Sequence, residues 1–121
     1  MKTNIKVTAF SLTPALEDYV KEKLAHLNKL LPADHNSIRA DIELAKITEH
    51  HKQGEVYRAE IHLHVGGQDL YTSETAGTIF AAIDLVKDEM IHQLRTTNKK
   101  RLTLFKRGGR LLKQMLKGWY H

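Results

Sequence analysis

Hydrophobic and polar positions change period along this chain in a way that spells out its elements. In "TNIKVTA" (residues 3–9), Ile5, Val7 and Ala9 fall on one side and Lys6 and Thr8 on the other. A period of two marks a half-buried strand. The period then lengthens. In "SLTPALEDYVKEKLAHLNKLLP", Leu16, Val20, Leu24, Leu27 and Leu31 lie on one helical stripe. Thr13 suits the cap, Pro14 the first helical position and Glu17 the first turns, and Pro32 is expected to close the helix. Alternation returns in "SIRADIELAKI", with Ile38, Ala40, Ile42 and Leu44 inward, and "EHHKQG" reads as a polar loop. "VYRAEIHLHV" is the clearest strand, with Tyr57, Ala59, Ile61, Leu63 and Val65 on one face. Gly66 and Gly67 supply the positive φ angles of a tight hairpin. "DLYTSE" is a short returning strand. A second helix begins between Thr75 and Thr78 and carries Ile79, Ile83, Val86, Met90 and Leu94 on its stripe.

The order is therefore β-α-β-β-β-α. Each helix has one apolar stripe and each strand one apolar face. A two-layer α+β sandwich satisfies all of them, with a four-stranded sheet and two helices on one of its faces. The first β-α-β passage allows a right-handed crossover. The pattern changes near residue 98, so residues 1–98 are expected to form the folded domain and residues 99–121 a basic amphipathic tail.

Charge sharpens that division. Residues 1–94 hold ten Lys and Arg against fourteen Asp and Glu, a net −4, whereas residues 95–121 hold nine basic residues and no acid, a net +9. A block of like charge at one end marks an interaction segment, and its natural partners are polyanions: nucleic acid or an anionic membrane surface. The absence of cysteine excludes disulfides, thiol nucleophiles and Cys-based zinc sites. "MKTNIKVTAF" lacks the apolar run of a signal peptide, and no apolar stretch is long enough to span a bilayer. The expected location is the cytoplasm.

The residues do not assemble a catalytic set. P-loop, G-x-S-x-G and H-E-x-x-H motifs are missing, and "RGGR" at 107–110 follows no strand of a β-α-β unit. His62 and His64 alternate onto one strand face with Arg58 and Glu60, and His50 and His51 precede that strand. They name no complete ligand set, so neither metal nor cofactor is expected. Asp84 and Asp88, one turn apart, read as solvated helix-surface acids.

Three segments, in this order and at these spacings, resemble the ribosome hibernation promoting factor family, also known as ribosome-associated inhibitors or sigma-54 modulation proteins. "LTPALEDYVKEKLAHL" is similar to its first helix and the Gly66-Gly67 hairpin to its glycine turn. "IFAAIDLVKDEMIHQL", with Phe80, Ala81, Ala82, Ile83, Asp84, Gln93 and Leu94, is similar to its most recognisable segment. The likeness runs over about residues 1–98. It implies a fold similar to a double-stranded-RNA-binding domain with an extra first strand. It also implies a non-enzymatic factor that binds the small ribosomal subunit in the mRNA and A- and P-site tRNA region, stops translation and promotes hibernation. Long members add a C-terminal dimerisation domain for which this chain is too short, so the short form is expected. Lys23 and Lys100 stand where family members carry basic residues. Glu17, His26, Glu89 and His92 depart from that pattern, and neutral histidine is a poorer phosphate partner than arginine.

The charge thus moves from the helix faces towards the end of the second helix and the tail. Lys23, Lys29, Lys87, His92, Arg95, Lys99, Lys100, Arg101, Lys106, Arg107, Arg110, Lys113 and Lys117 are the candidate RNA contacts. In the tail, Leu104, Phe105, Leu111, Leu112, Met115, Leu116 and Trp119 recur every three to four residues among these bases. A basic amphipathic helix is expected from about Arg110 to Gly118, interrupted upstream by Gly108 and Gly109. The expected partners are the small subunit, ribosomal RNA and, through the tail, a ribosomal protein. Two alternatives stay open: a general structured-RNA-binding module, and a membrane-surface protein attached by the tail.

Overall fold

The structure, a computed structural model, describes residues 1–31, 38–47, 54–65 and 68–108, with the side chains of its last helix as far as residue 97. The element order is β1 (Lys2–Thr8), α1 (Pro14–Asn28), β2 (Ile38–Ile47), β3 (Val56–Val65), β4 (Gln68–Ala76) and α2 (Ile79–Gly108). The polar loop up to residue 53, the hairpin glycines, Pro32 and the amphipathic segment at 110–118 lie outside the described residues.

The four strands form one sheet in the order β1-β2-β3-β4. β1 pairs with β2 in parallel, and the other two pairings are antiparallel. Register carries side chains across the sheet in rows. Ile5, Ile42, Ile61 and Thr72 form one row on the covered face. On the opposite face the rows are Lys2–Arg39–His64–Asp69, Asn4–Asp41–His62–Tyr71 and Lys6–Glu43–Glu60–Ser73. One face is thus apolar and the other a lattice of mixed charge, which is what strict alternation requires.

Both helices lie on the apolar face. Leu16, Val20, Leu24 and Leu27 of α1 and Ile79, Ala82, Ile83, Val86, Met90 and Leu94 of α2 are buried in one cluster with Ile38, Ala40, Ile42, Leu44, Ala59, Ile61, Leu63 and Val65. Thr13 caps α1: its hydroxyl accepts the Leu16 N–H at 3.2 Å, and Pro14 follows where its missing N–H costs nothing. Thr78 does the same for α2, accepting from the Ala81 N–H at 3.1 Å.

Several boundaries differ from those the sequence pattern predicts. α1 stops at Asn28 rather than running to Pro32, and Leu30 and Leu31 turn back through bonds to Leu27 and Asn28. A proline disfavours helical backbone at the residue before it, so the helix yields before Leu31. Ala9 is not a strand residue; its φ of 70° lies in the left-handed region and ends β1. β4 is longer than "DLYTSE". α2 passes residue 98 without a break and reaches Gly108.

Candidate nucleic-acid interface

Tyr19 and Lys23 are one turn apart on α1, and Phe80 and Asp84 one turn apart on α2; the two pairs meet. The Tyr19 hydroxyl donates to Asp84 Oδ1 at 2.7 Å, and Lys23 Nζ lies 3.5 Å from the same oxygen. Phe80 packs edge-on against the Tyr19 ring at 4.9 Å, while Lys23 Nζ sits 4.8 Å from its centroid. The hydrogen bond to the Asp84 carboxylate, helped by burial and by the negative charge of Asp84 and Glu22, pushes the Tyr19 hydroxyl up to about 12. Asp84 is therefore more than a solvated acid. It ties the helices together, and Tyr19 is its unanticipated partner. The sequence signal is present as two i, i+4 pairs of an aromatic and a charged residue at the edge of each apolar stripe.

Lys23 and Lys87 come from different helices but line the same apolar crevice as Val20, Leu24, Ile83 and Val86. Their side chains are only 18% and 15% exposed, so the aliphatic stems do the covering. Each ammonium also meets a carboxylate, Lys23 that of Asp84 and Lys87 that of Asp88 at 3.0 Å. These two candidates are thus brought together but partly neutralised. The matched contacts advance in the same direction along both helices, from Tyr19 with Phe80 to Lys23 with Asp84, so α1 and α2 run in parallel senses.

The other candidates gather towards the C-terminal ends. Lys29 is the exposed cap residue of α1. His92 and Arg95 are exposed on α2, beside a shallow groove bordered by His92, Gln93, Thr96 and Thr97. Gln93 holds this part of the helix to the sheet by donating to the Tyr71 carbonyl at 3.1 Å. Lys99 and Lys106 follow at the same helical spacing, and Lys100, Arg101 and Arg107 lie on the same continuous helix. Arg110, Lys113 and Lys117 fall outside the described residues.

The last buried side chain described on α2 is Leu94. At 1.5 Å per residue the fourteen positions from Arg95 to Gly108 extend the helix by roughly 21 Å. That length carries six bases and no acid, whereas the first half of α2 carries Asp84, Asp88 and Glu89. The helix dipole favours this order, because cations are stabilised near a C-terminus. Chemically the arrangement is a rod of positive charge on a rigid two-layer base. Among the described residues no helix is long and apolar enough to cross a membrane.

Residues 3–102 match the family described as sigma 54 modulation protein / S30EA ribosomal protein. A ribosome hibernation promoting factor of Azotobacter vinelandii is 29% identical over 102 residues, covering 84% of this chain and 87% of the relative. A ribosome hibernation promotion factor of a Picosynechococcus species is 28% identical over 83% of this chain but only 50% of its own length. Among solved structures, the N-terminal domain of Thermus thermophilus Protein Y superposes with a TM-score of 0.66 at 24% identity, covering 80% of this chain and 99% of that domain. A ribosomal subunit interface protein from Coxiella burnetii gives 0.65 at 14% identity, covering 82% and 99%. These likenesses establish the two-layer fold.

Proposed function

The chain belongs to the sigma 54 modulation protein / S30EA ribosomal protein family, and from that membership we propose that it is a ribosome hibernation factor. In this reading it binds the small subunit in the cytoplasm and occupies the mRNA path and the A- and P-site region. Translation stops because mRNA and tRNA are displaced, with no covalent chemistry. The observation that carries the reading is the acid-free continuation of α2. Arg95, Lys99, Lys100, Arg101, Lys106 and Arg107 along one helix with no acid among them suit a polyanion such as RNA better than any small ligand.

Lys23 and Lys87 would add contacts at the interhelical crevice by exchanging their carboxylates for phosphates, and Lys29 and His92 would flank them. The domain at 1–98 supplies a rigid base, and residues 99–121 supply affinity. Arg110, Lys113 and Lys117 would continue the phosphate contacts, and the apolar tail residues would pack on a ribosomal protein.

The test is sedimentation of the full chain with purified small subunits at low and moderate salt, together with cell-free translation. Binding should weaken steeply with salt, because each phosphate contact releases counterions. mRNA with initiator tRNA should displace the protein. Binding that ignores this competitor would instead favour a general RNA-binding module, and binding to anionic vesicles but not to ribosomes a membrane-surface protein.

A further inference from the structure

The sheet face turned away from both helices carries a second constellation, unrelated to the basic rod. His62 and His64 project from the same side of β3, two residues apart. Their rings lie 4.1 Å apart, tilted by 33°. Asp69 stands directly opposite His64 on β4, its Oδ1 2.5 Å from His64 Nδ1. One ligand atom from each of the three residues falls within 4.8 Å of the others. On the far side of His64, Nε2 lies 3.3 Å from Asp41 Oδ2, and Asp41 is opposite His62 on β2. Asp41 is itself held by Asn4 Nδ2 at 3.1 Å and Arg39 Nε at 3.2 Å.

We propose that His62, His64 and Asp69 form a binding site for a divalent late first-row transition metal, with zinc as the reference ion. Two imidazoles and one carboxylate make the mixed nitrogen and oxygen donor set that zinc accepts, leaving a fourth position for water. His-x-His on a strand places both rings on one face, and the antiparallel register brings the carboxylate beside them without any loop rearrangement. Asp41 completes the arrangement. When Nδ1 of His64 binds the metal, its Nε2–H faces the Asp41 carboxylate, which fixes the tautomer and the ring orientation. Access is open: His62 also lines a depression of about 360 Å³ shared with Asp41, Glu60 and Tyr71.

Arg39 is the internal competitor. Its Nη2 lies 3.1 Å from His64 Nε2, and because a guanidinium only donates, this contact is a hydrogen bond in the tautomer whose proton sits on Nδ1, towards Asp69. Metal binding at Nδ1 requires that tautomer to give way to the one protonated on Nε2, and the guanidinium to fall back on Asp41 alone. Arg39 therefore holds the site in check both by charge and by tautomer.

The site lies on the opposite face from the crevice between α1 and α2, so this inference is independent of ribosome binding. The experiment is a calorimetric titration of the full chain with zinc in a non-chelating buffer, paired with NMR of the histidine ring nitrogens. One ion should bind per chain, shifting His62 and His64. H62Q, H64Q and D69N should each weaken binding at least about 10-fold. R39Q should tighten it several-fold, a change that a merely structural role for these side chains would not produce. The double substitution H50Q/H51Q should leave affinity unchanged. Asp69 is 66% exposed, so D69N cannot fail through the core. The absence of stoichiometric binding, affinity indifferent to H62Q and H64Q, or weakening by R39Q would overturn the site.

Discussion

The two halves of α2 obey different rules. From Ile79 to Leu94 the helix is held by what it buries: six side chains sunk in the core, a capping hydroxyl and the Asp84 contact to Tyr19. From Arg95 to Gly108 it bears six bases and no acid. The first half determines where the second points. A helix is well suited to this division, because one continuous backbone carries the direction set by the anchored half into the half that follows Leu94.

The contrast can be broken at either end. Leu94 is fully buried, so Leu94→Ala should cost about 3 kcal/mol of stability in chemical denaturation, through reduced burial and the cavity left behind. The RNA affinity of the molecules that remain folded should hardly move. Replacing Arg95, Lys99, Lys100 and Arg101 together with Ala should do the reverse. Stability should stay within about 0.5 kcal/mol, as is usual for surface changes. Ribosome affinity at low salt should fall on the order of 100-fold, and the salt dependence should flatten by roughly one unit for each phosphate that these side chains neutralise. If instead the melting transition collapses, the second half of α2 packs against the body.

A smaller change separates the anchor from the core beneath it. Tyr19→Phe removes the hydroxyl bonded to Asp84 and should cost about 1 kcal/mol, a modest figure because the carboxylate side chain is 44% exposed. The sign of its pH dependence is fixed. The folded state raises the Tyr19 pKa to about 12, so the protonated phenol is the stabilising form. The gap between wild type and Tyr19→Phe should be constant up to about pH 10, where an unfolded tyrosine titrates, and should close as pH rises to about 12.

The half of α2 up to Leu94 is legible in the sequence and the extent of the half after it is not, for a physical reason. Ile79, Ile83, Val86, Met90 and Leu94 announce themselves because burial imposes a period. Past Leu94 the clearest signal is a run of like charge, which says nothing of where the helix stops. Charge does not end a helix: Lys, Arg and Leu are good helix formers, and this segment has no proline or glycine before Gly108. The strands are legible face by face, and the alternation over Ile38–Leu44 and Ala59–Val65 emerges intact. Contacts between elements are harder. The partners of Lys23 and Lys87 depend on how two helices are set side by side. Asp69 meets His64 only through the β3–β4 register. That register is recoverable in principle, since a two-residue hairpin at 66–67 pairs Val65 with Gln68 and so His64 with Asp69.

β1 holds a different kind of consequence. Among the described residues it is the one strand joined in parallel, and it reaches β2 only after the chain has passed through α1; Asn4 and Asp41, side by side in the sheet, are 37 residues apart in sequence. β2, β3 and β4 are joined by consecutive antiparallel pairings of far shorter range. Loop closure therefore favours assembly of the meander first, with the N-terminal strand zipping on last and detaching first. Until it docks, the free edge of β2 presents an open ladder of amides and carbonyls with Ile42 and Leu44 beside it, a template for pairing with another chain. Docking of the first strand moves that open edge from β2 to a shorter, largely exposed strand carrying Lys2 and Lys6, a poorer template for pairing with a second chain.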